Sequence, residues 1–133
     1  MTDEPDGVFE YTVGTGNSHN IVMNEQTHVA YAVGNNGCSG GLYSIDVSEP
    51  GNPRYRGCFS ADGYTHDAEC VTYDGPDADY VGKEICFGYN ENTLTIVDFT
   101  DDSNPIMLSR TLYTGAVEHI YSRDYKVFRI ICL

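Results

Sequence analysis

Apolar and polar residues follow one another along this chain in short alternating runs, each closed by Gly, Asn, Asp or Pro. Runs rich in Tyr, Val, Ile and Thr read as β-strands, because successive side chains on a strand face opposite ways. They fall at residues 7–13, 19–23, 28–33, 42–47, 54–59, 67–73, 82–87, 94–99 and 106–113. No stretch of ten or more residues carries helical periodicity. The expected fold class is all-β.

One strand-and-turn phrase occurs twice. Leu42-Tyr43-Ser44-Ile45-Asp46, closed by Asn52-Pro53, returns as Leu94-Thr95-Ile96-Val97-Asp98, closed by Asn104-Pro105, at an offset of 52 residues. Ser18-His19-Asn20 and Thr65-His66-Asp67 match at an offset of 47, and Val33-Gly34-Asn35-Asn36 matches Phe87-Gly88-Tyr89-Asn90. Loops absorb the changes of offset. The strands therefore group as two four-stranded antiparallel sets, residues 15–64 and 65–116. Residues 1–14 then read as a strand of a preceding unit, and 117–133 as an atypical tail or the start of a third. Both faces of residues 94–99 are largely apolar, so that strand needs cover on both sides. Stacked propeller blades supply such cover, and two blades make an incomplete β-propeller, since a ring takes at least about four.

Leu-x-Ile-Val-Asp followed by a Ser/Thr-Asp-x-x-x-Pro turn resembles the LVIVD repeat of secreted or surface-anchored bacterial and fungal proteins. Residues 94–98 match its core closely and 42–46 less so, within a resemblance that covers roughly residues 14–116. The His-Asn and His-Asp starts also resemble that family's larger extracellular members. The resemblance implies a β-propeller-like repeat fold outside the cytoplasm, and it brings no catalytic residues with it.

The net charge of -13 excludes a nucleic-acid backbone or an anionic membrane surface as a favoured partner, leaving cations and basic surfaces. No apolar run is long enough to cross a bilayer. The acidic start, Met1-Thr2-Asp3-Glu4-Pro5-Asp6-Gly7, is unlike a signal peptide, so the chain reads either as cytosolic or as lacking its true N-terminus. The cysteines favour the second option. A hairpin turning near Pro50-Gly51 brings Cys38 close to Cys58, and a hairpin turning at residues 75–78 sets Cys70 opposite Cys86. Such bridges persist in an oxidising compartment, and each would add about 2–4 kcal/mol. Four cysteines allow three connectivities, and buried free thiols are the alternative. Cys132 is left over. The tail also holds Arg123, Lys126 and Arg129, three of the seven basic residues, as expected of a fragment or of a reading that departs after Ala116.

Gly37-Cys38-Ser39-Gly40-Gly41 matches the Gly-x-Ser-x-Gly nucleophile elbow, which requires a strand before the serine and a helix after it; here a strand follows, so a tethered Gly-rich loop is expected. Asp74, Asp77 and Asp79, with Glu84 a short way on, are a candidate calcium site, because clustered carboxylates suit a hard cation. Asp, Gly and Pro are equally the residues of a solvated hairpin turn. His66 with Cys70 lacks a second anchoring pair for zinc. Asp46 and Asp98 are expected to build turns by accepting backbone N–H bonds. His19-Asn20 and His66-Asp67 are candidate ligand or channel residues, since an innermost propeller strand lines the central channel, or else a structural bond made once per unit. His119 stands 53 residues after His66 as a remnant of a third start.

The leading functional expectation is a non-catalytic extracellular repeat module that binds protein, glycan or cations or serves as a scaffold, packed against remaining blades or self-associated. The alternatives are a propeller enzyme whose site is completed by missing blades, with His66 and Asp67 among its polar groups, and a truncated product without independent function.

Overall fold

The structure, a computed structural model, describes residues 16–112. The expected strand at 7–13, the tail at 117–133, His119 and Cys132 lie outside the described residues. Eight strands form two antiparallel sheets: β1 (Asn20–Asn24), β2 (Val29–Val33), β3 (Leu42–Asp46) and β4 (Arg54–Phe59) in the first, and β5 (Thr65–Thr72), β6 (Glu84–Asn90), β7 (Thr93–Asp98) and β8 (Ile106–Leu112) in the second. Both are meanders in which each strand pairs with its neighbour in sequence. Helical structure among the described residues is confined to two single 3-10 turns, Asn36–Cys38 and Ala78–Tyr80, so no helix there is long and apolar enough to cross a membrane.

The two sheets share fine detail. Each carries an irregularity in the pairing of its third and fourth strands at the same place, between Ser44 and Ile45 and between Ile96 and Val97. Just past the third strand, Val47 N–H donates to the His28 carbonyl at 2.9 Å, and Phe99 N–H to the Glu84 carbonyl at 2.8 Å. The register corrects one match made from sequence. Val33 pairs with Leu42 while Tyr89 pairs with Leu94, so the counterpart of Val33 is Tyr89 and not Phe87. The apolar-Gly pair misled because its glycines do different jobs: Gly34 leaves its strand at φ +60, whereas Gly88 lies inside β6. The length difference sits in two hairpins, with residues 73–83 replacing 25–28 and residues 91–92 replacing 34–41. The long loop also carries strand-like Tyr73, Tyr80 and Val81, and β6 starts at Glu84, two residues later than the pattern suggested.

The main core lies between the sheets. Val29, Tyr31, Val33, Leu42 and Phe59 of the first meet Ala68, Cys70, Cys86, Val97 and Phe99 of the second. The Tyr31 and Phe99 rings meet edge to face with centroids 5.2 Å apart, and each such large side chain taken from water stabilises by roughly 1.5–3 kcal/mol. On β7 the other face is buried too, through Ile96. Gly57 marks the tightest approach of backbone to backbone: a Cβ there would lie 1.7 Å from the Asp102 carbonyl oxygen.

Disulfides join Cys38 to Cys58 and Cys70 to Cys86. Cys70 and Cys86 are register partners on β5 and β6, while Cys38 ties the β2–β3 loop to β4. Both are compatible with an extracellular location.

Candidate functional site

The repeated His-polar starts meet at the seam where β1 runs beside β5. The His19 and His66 rings lie 4.1 Å apart, tilted by 45°, and Tyr64 meets His19 edge-on at 6.2 Å. Asn20 Nδ2 donates to Asp67 Oδ1 at 3.0 Å. Each polar side chain also accepts the next residue's N–H, Ile21 to Asn20 Oδ1 and Ala68 to Asp67 Oδ1, both at 2.8 Å. The four residues singled out from the repeat are thus brought together, each beside its own counterpart.

The loop before β3 frames this seam. Asn35 is its hub: its amide donates to Ser18 Oγ at 2.7 Å, its Oδ1 accepts Gly37 N–H at 2.7 Å, and its carbonyl accepts Cys38 and Gly40 N–H groups at 3.0 and 2.8 Å. Gly34 must be glycine, since at φ +60 a Cβ would approach His19 Cβ to 2.8 Å and the Tyr64 ring to 2.9 Å. Ser39, the serine of the elbow-like motif, caps the 3-10 turn in the left-handed region at φ 49, and β3 follows it. No helix N-terminus stands behind its hydroxyl, so the motif is a tethered loop.

The candidate calcium residues are dispersed in role. Glu84 turns to the first sheet: its carboxylate accepts from Tyr31 Oη at 2.8 Å, Asn24 Nδ2 at 2.8 Å and Thr27 Oγ1 at 3.2 Å. Burial, with the Glu84 carboxylate adding to it, drives the Tyr31 hydroxyl far above its ordinary pKa. Asp77 is buried and its N–H donates to Tyr73 Oη at 3.3 Å, whereas Asp74 and Asp79 are exposed. Among the described residues no group of three or more His, Cys, Asp and Glu side chains is placed to hold a metal ion. Cys70, which sequence set beside His66 for zinc, is in a disulfide.

Asp46 and Asp98 sit in matching turns. Asp46 Oδ1 accepts Ser48 N–H at 2.9 Å and Ser48 Oγ at 2.6 Å, and Asp98 Oδ1 accepts Thr100 N–H at 2.9 Å. The Ser48 hydroxyl and amide hold the Asp46 carboxyl below its usual range. Lys83 stands 3.6 Å from Asp98 and Arg54 3.8 Å from Asp46.

No family model, curated protein or solved structure matches the chain. The site is therefore read from its own chemistry.

Two polar clusters escaped sequence reasoning. In the first, Asp62 at the turn before β5 accepts from Thr93 Oγ1 at 3.0 Å, Asn90 Nδ2 at 3.1 Å, Arg110 Nε at 2.6 Å and Thr95 Oγ1. Burial works against the charged form, but bonds from Thr95, Arg110 and Thr93 win and hold the carboxyl below its usual range. The available signal was the alternation of Thr93 and Thr95, which puts both hydroxyls on one face of β7. In the second, Asp102 is ion-paired with Arg56 beside a hollow of about 180 Å³ that Glu84 and Thr100 also line. Burial raises the Asp102 carboxyl above its usual range, and Glu84 adds to this against the pull of Arg56. The first is a closed network that holds the fold. The β1–β5 seam, by contrast, presents imidazole, amide and carboxylate groups together, a set suited to hydrogen-bonding a polar ligand or to coordinating a cation.

Proposed function

We propose that this chain is a non-catalytic repeat module of the β-propeller type, akin to LVIVD-repeat proteins, that serves outside the cytoplasm as a binding or structural scaffold. The observation that carries this reading is the alignment of His19 with His66 and of Asn20 with Asp67 on neighbouring first strands. Successive propeller blades place their innermost strands side by side in this way, and a polar pair repeated on them faces the channel. The one-sided stacking of the first sheet on the second and the matching third-strand irregularities support the same reading. The two disulfides support an oxidising compartment.

The test is a titration by NMR of the intact chain with Ca²⁺, Zn²⁺ and a panel of oligosaccharides. Shifts centred on the His19 and His66 ring protons and the Asn20 side-chain amide are expected for a ligand of this seam. Turnover of generic ester, phosphate or glycoside substrates that is lost in His66→Ala would overturn the non-catalytic reading.

A further inference from the structure

We infer that the hollow between the two sheets, floored by Glu84 and Asp102, is a binding site for a primary ammonium group. Strand register sets it at the opposite end of the second sheet from His66, since Glu84 pairs with Thr72 while Asn90 pairs with Thr65. It holds about 180 Å³, less than the roughly 300–1,000 Å³ of pockets that take drug-sized molecules, so its occupant is a single small group. Val29 and Phe99 give it apolar walls, and Thr27, Thr100 and Arg56 stand exposed at its rim. Its floor is charged: Glu84 and Asp102 are 9% and 8% exposed.

Buried carboxylates are ordinarily paired and fully hydrogen-bonded. Glu84 meets this rule through Tyr31, Asn24 and Thr27. Asp102 does not: Arg56 reaches its Oδ2, and among the described residues no donor reaches its Oδ1. Arg54, Lys83 and Arg110, the other described Lys and Arg residues, stand beside Asp46, Asp98 and Asp62 instead. One guanidinium therefore serves two buried carboxylates. Burial, followed by the charges of Glu84, Asp101 and Asp46, raises the Asp102 carboxyl above its usual range although Arg56 pulls the other way. The protein's own charges leave the hollow short of a cation.

The repeat singles these two acids out. One unit earlier the counterpart of Glu84 is His28, whose carbonyl accepts the matching bond from Val47, and the counterpart of Asp102, at the offset of 52 residues, is Pro50. A carboxylate that the architecture required would recur in each unit, as Asp46 and Asp98 do. Glu84 and Asp102 do not recur, so they belong to this hollow alone. Its acceptors select the ligand. A primary ammonium brings one positive charge and three N–H donors. Asp102 Oδ1, the lone-pair site left on Glu84 after its three bonds, and the Thr27 hydroxyl oxygen accept them. The short apolar stem that carries the group lies against Val29 and Phe99. A divalent metal ion would be repelled by the guanidinium fixed on Asp102, and an anion by the two carboxylates.

Titration of the full chain with n-butylammonium, followed by NMR, tests the inference. Saturable shifts of the Thr27 and Thr100 methyl and Phe99 ring signals are expected, with a millimolar Kd as suits so small a ligand, while the His19 and His66 rings stay in place. n-Butanol, which has the stem without the charge, should bind about tenfold more weakly or worse. Asp102→Asn should weaken butylammonium binding about tenfold or more, whereas Arg56→Gln, which removes the competing cation, should tighten it by a similar factor. Circular dichroism checks that each variant folds. Thr27→Val, which takes only a hydroxyl from the rim, replaces Asp102→Asn if the latter does not, and should weaken binding several-fold. A blocked Ala-Ala-Lys-Ala-Ala peptide separates the sources of the group: binding tighter than butylammonium assigns the site to a lysine of a partner protein, and equal or weaker binding to a free amine. Absence of saturable shifts, equal affinity for n-butanol, or wild-type affinity in the folded Asp102→Asn or Thr27→Val variant overturns the inference.

Discussion

Replacing Asp62 by alanine removes the one acceptor on which Thr93, Thr95, Asn90 and Arg110 converge. The carboxylate is 10% exposed, so its donors are turned away from water with it, whereas Arg110 is 40% exposed and can rehydrate. A hydrogen bond to a charged group contributes about 1.5–3 kcal/mol, and a buried donor left without a partner costs about 1–3 kcal/mol. The four bonds share one carboxylate and are not additive. Discounting the half-exposed Arg110 for solvent screening, the expected loss is about 2–4 kcal/mol, a drop in Tm on the order of 10 °C for a domain of this size. Asp62→Asn keeps the shape but turns an amide N–H2 toward other donors, so it should recover little. Urea denaturation of wild type and variants, run from neutral to acid pH, measures this. The folded Asp62 carboxyl is held below its ordinary value. Its contribution is therefore fully present above about pH 4, the unfolded value, and fades as pH falls through the lower folded value. The wild-type advantage should shrink in that acid window. A difference under about 0.5 kcal/mol at neutral pH, or one that persists undiminished in strong acid, refutes the reasoning.

Tyr31→Phe removes one of the donors that tie Glu84 to the first sheet, and should cost about 1.5–3 kcal/mol in chemical denaturation; an unchanged midpoint would mean that the Tyr31–Glu84 bond adds nothing to the joining of the sheets. Peptide mapping without reduction should recover Cys70 linked to Cys86 and Cys38 linked to Cys58. Changing both Cys70 and Cys86 to Ser should then cost about 2–4 kcal/mol, and free thiols at all four positions would contradict both the pairing and the secreted reading. Because Glu84 is engaged between the sheets, Ca²⁺ should leave Tm unchanged, whereas a site filled at a hundred times its Kd would add about 2.7 kcal/mol.

Strands were legible where alternation ran between turn residues, as at 54–59, which coincides with β4 (Arg54–Phe59). Cysteine pairs were legible because hairpin register is a local property. Glu84 was not. It follows an acid-rich turn and reads as a solvated group, yet it opens a strand whose first side chain reaches the other sheet. Nothing within its own hairpin names Tyr31, Asn24 and Thr27 as its donors. Asp62 escaped for a similar reason, since its donors come from β6, β7 and β8, strands that only the folded sheet gathers around it. His19 and His66 were visible as a repeat, but their ring contact depends on how the two sheets stack.

Both disulfides close within a single sheet, so among the described residues the backbone between β4 and β5 is the sole covalent link from one sheet to the other. Their sequence separations of 20 and 16 residues span loops that hairpin pairing already brings together. Contacts so local favour fast assembly of each sheet, since little loop-closure entropy is lost before pairing begins. Joining the sheets comes after, through side-chain packing and polar contacts such as the Thr65 N–H donated to the Gly40 carbonyl at 2.8 Å. The same asymmetry runs in reverse under native conditions: amide exchange should report each sheet as its own cooperative opening unit, with the His19–His66 seam parting before either sheet unravels.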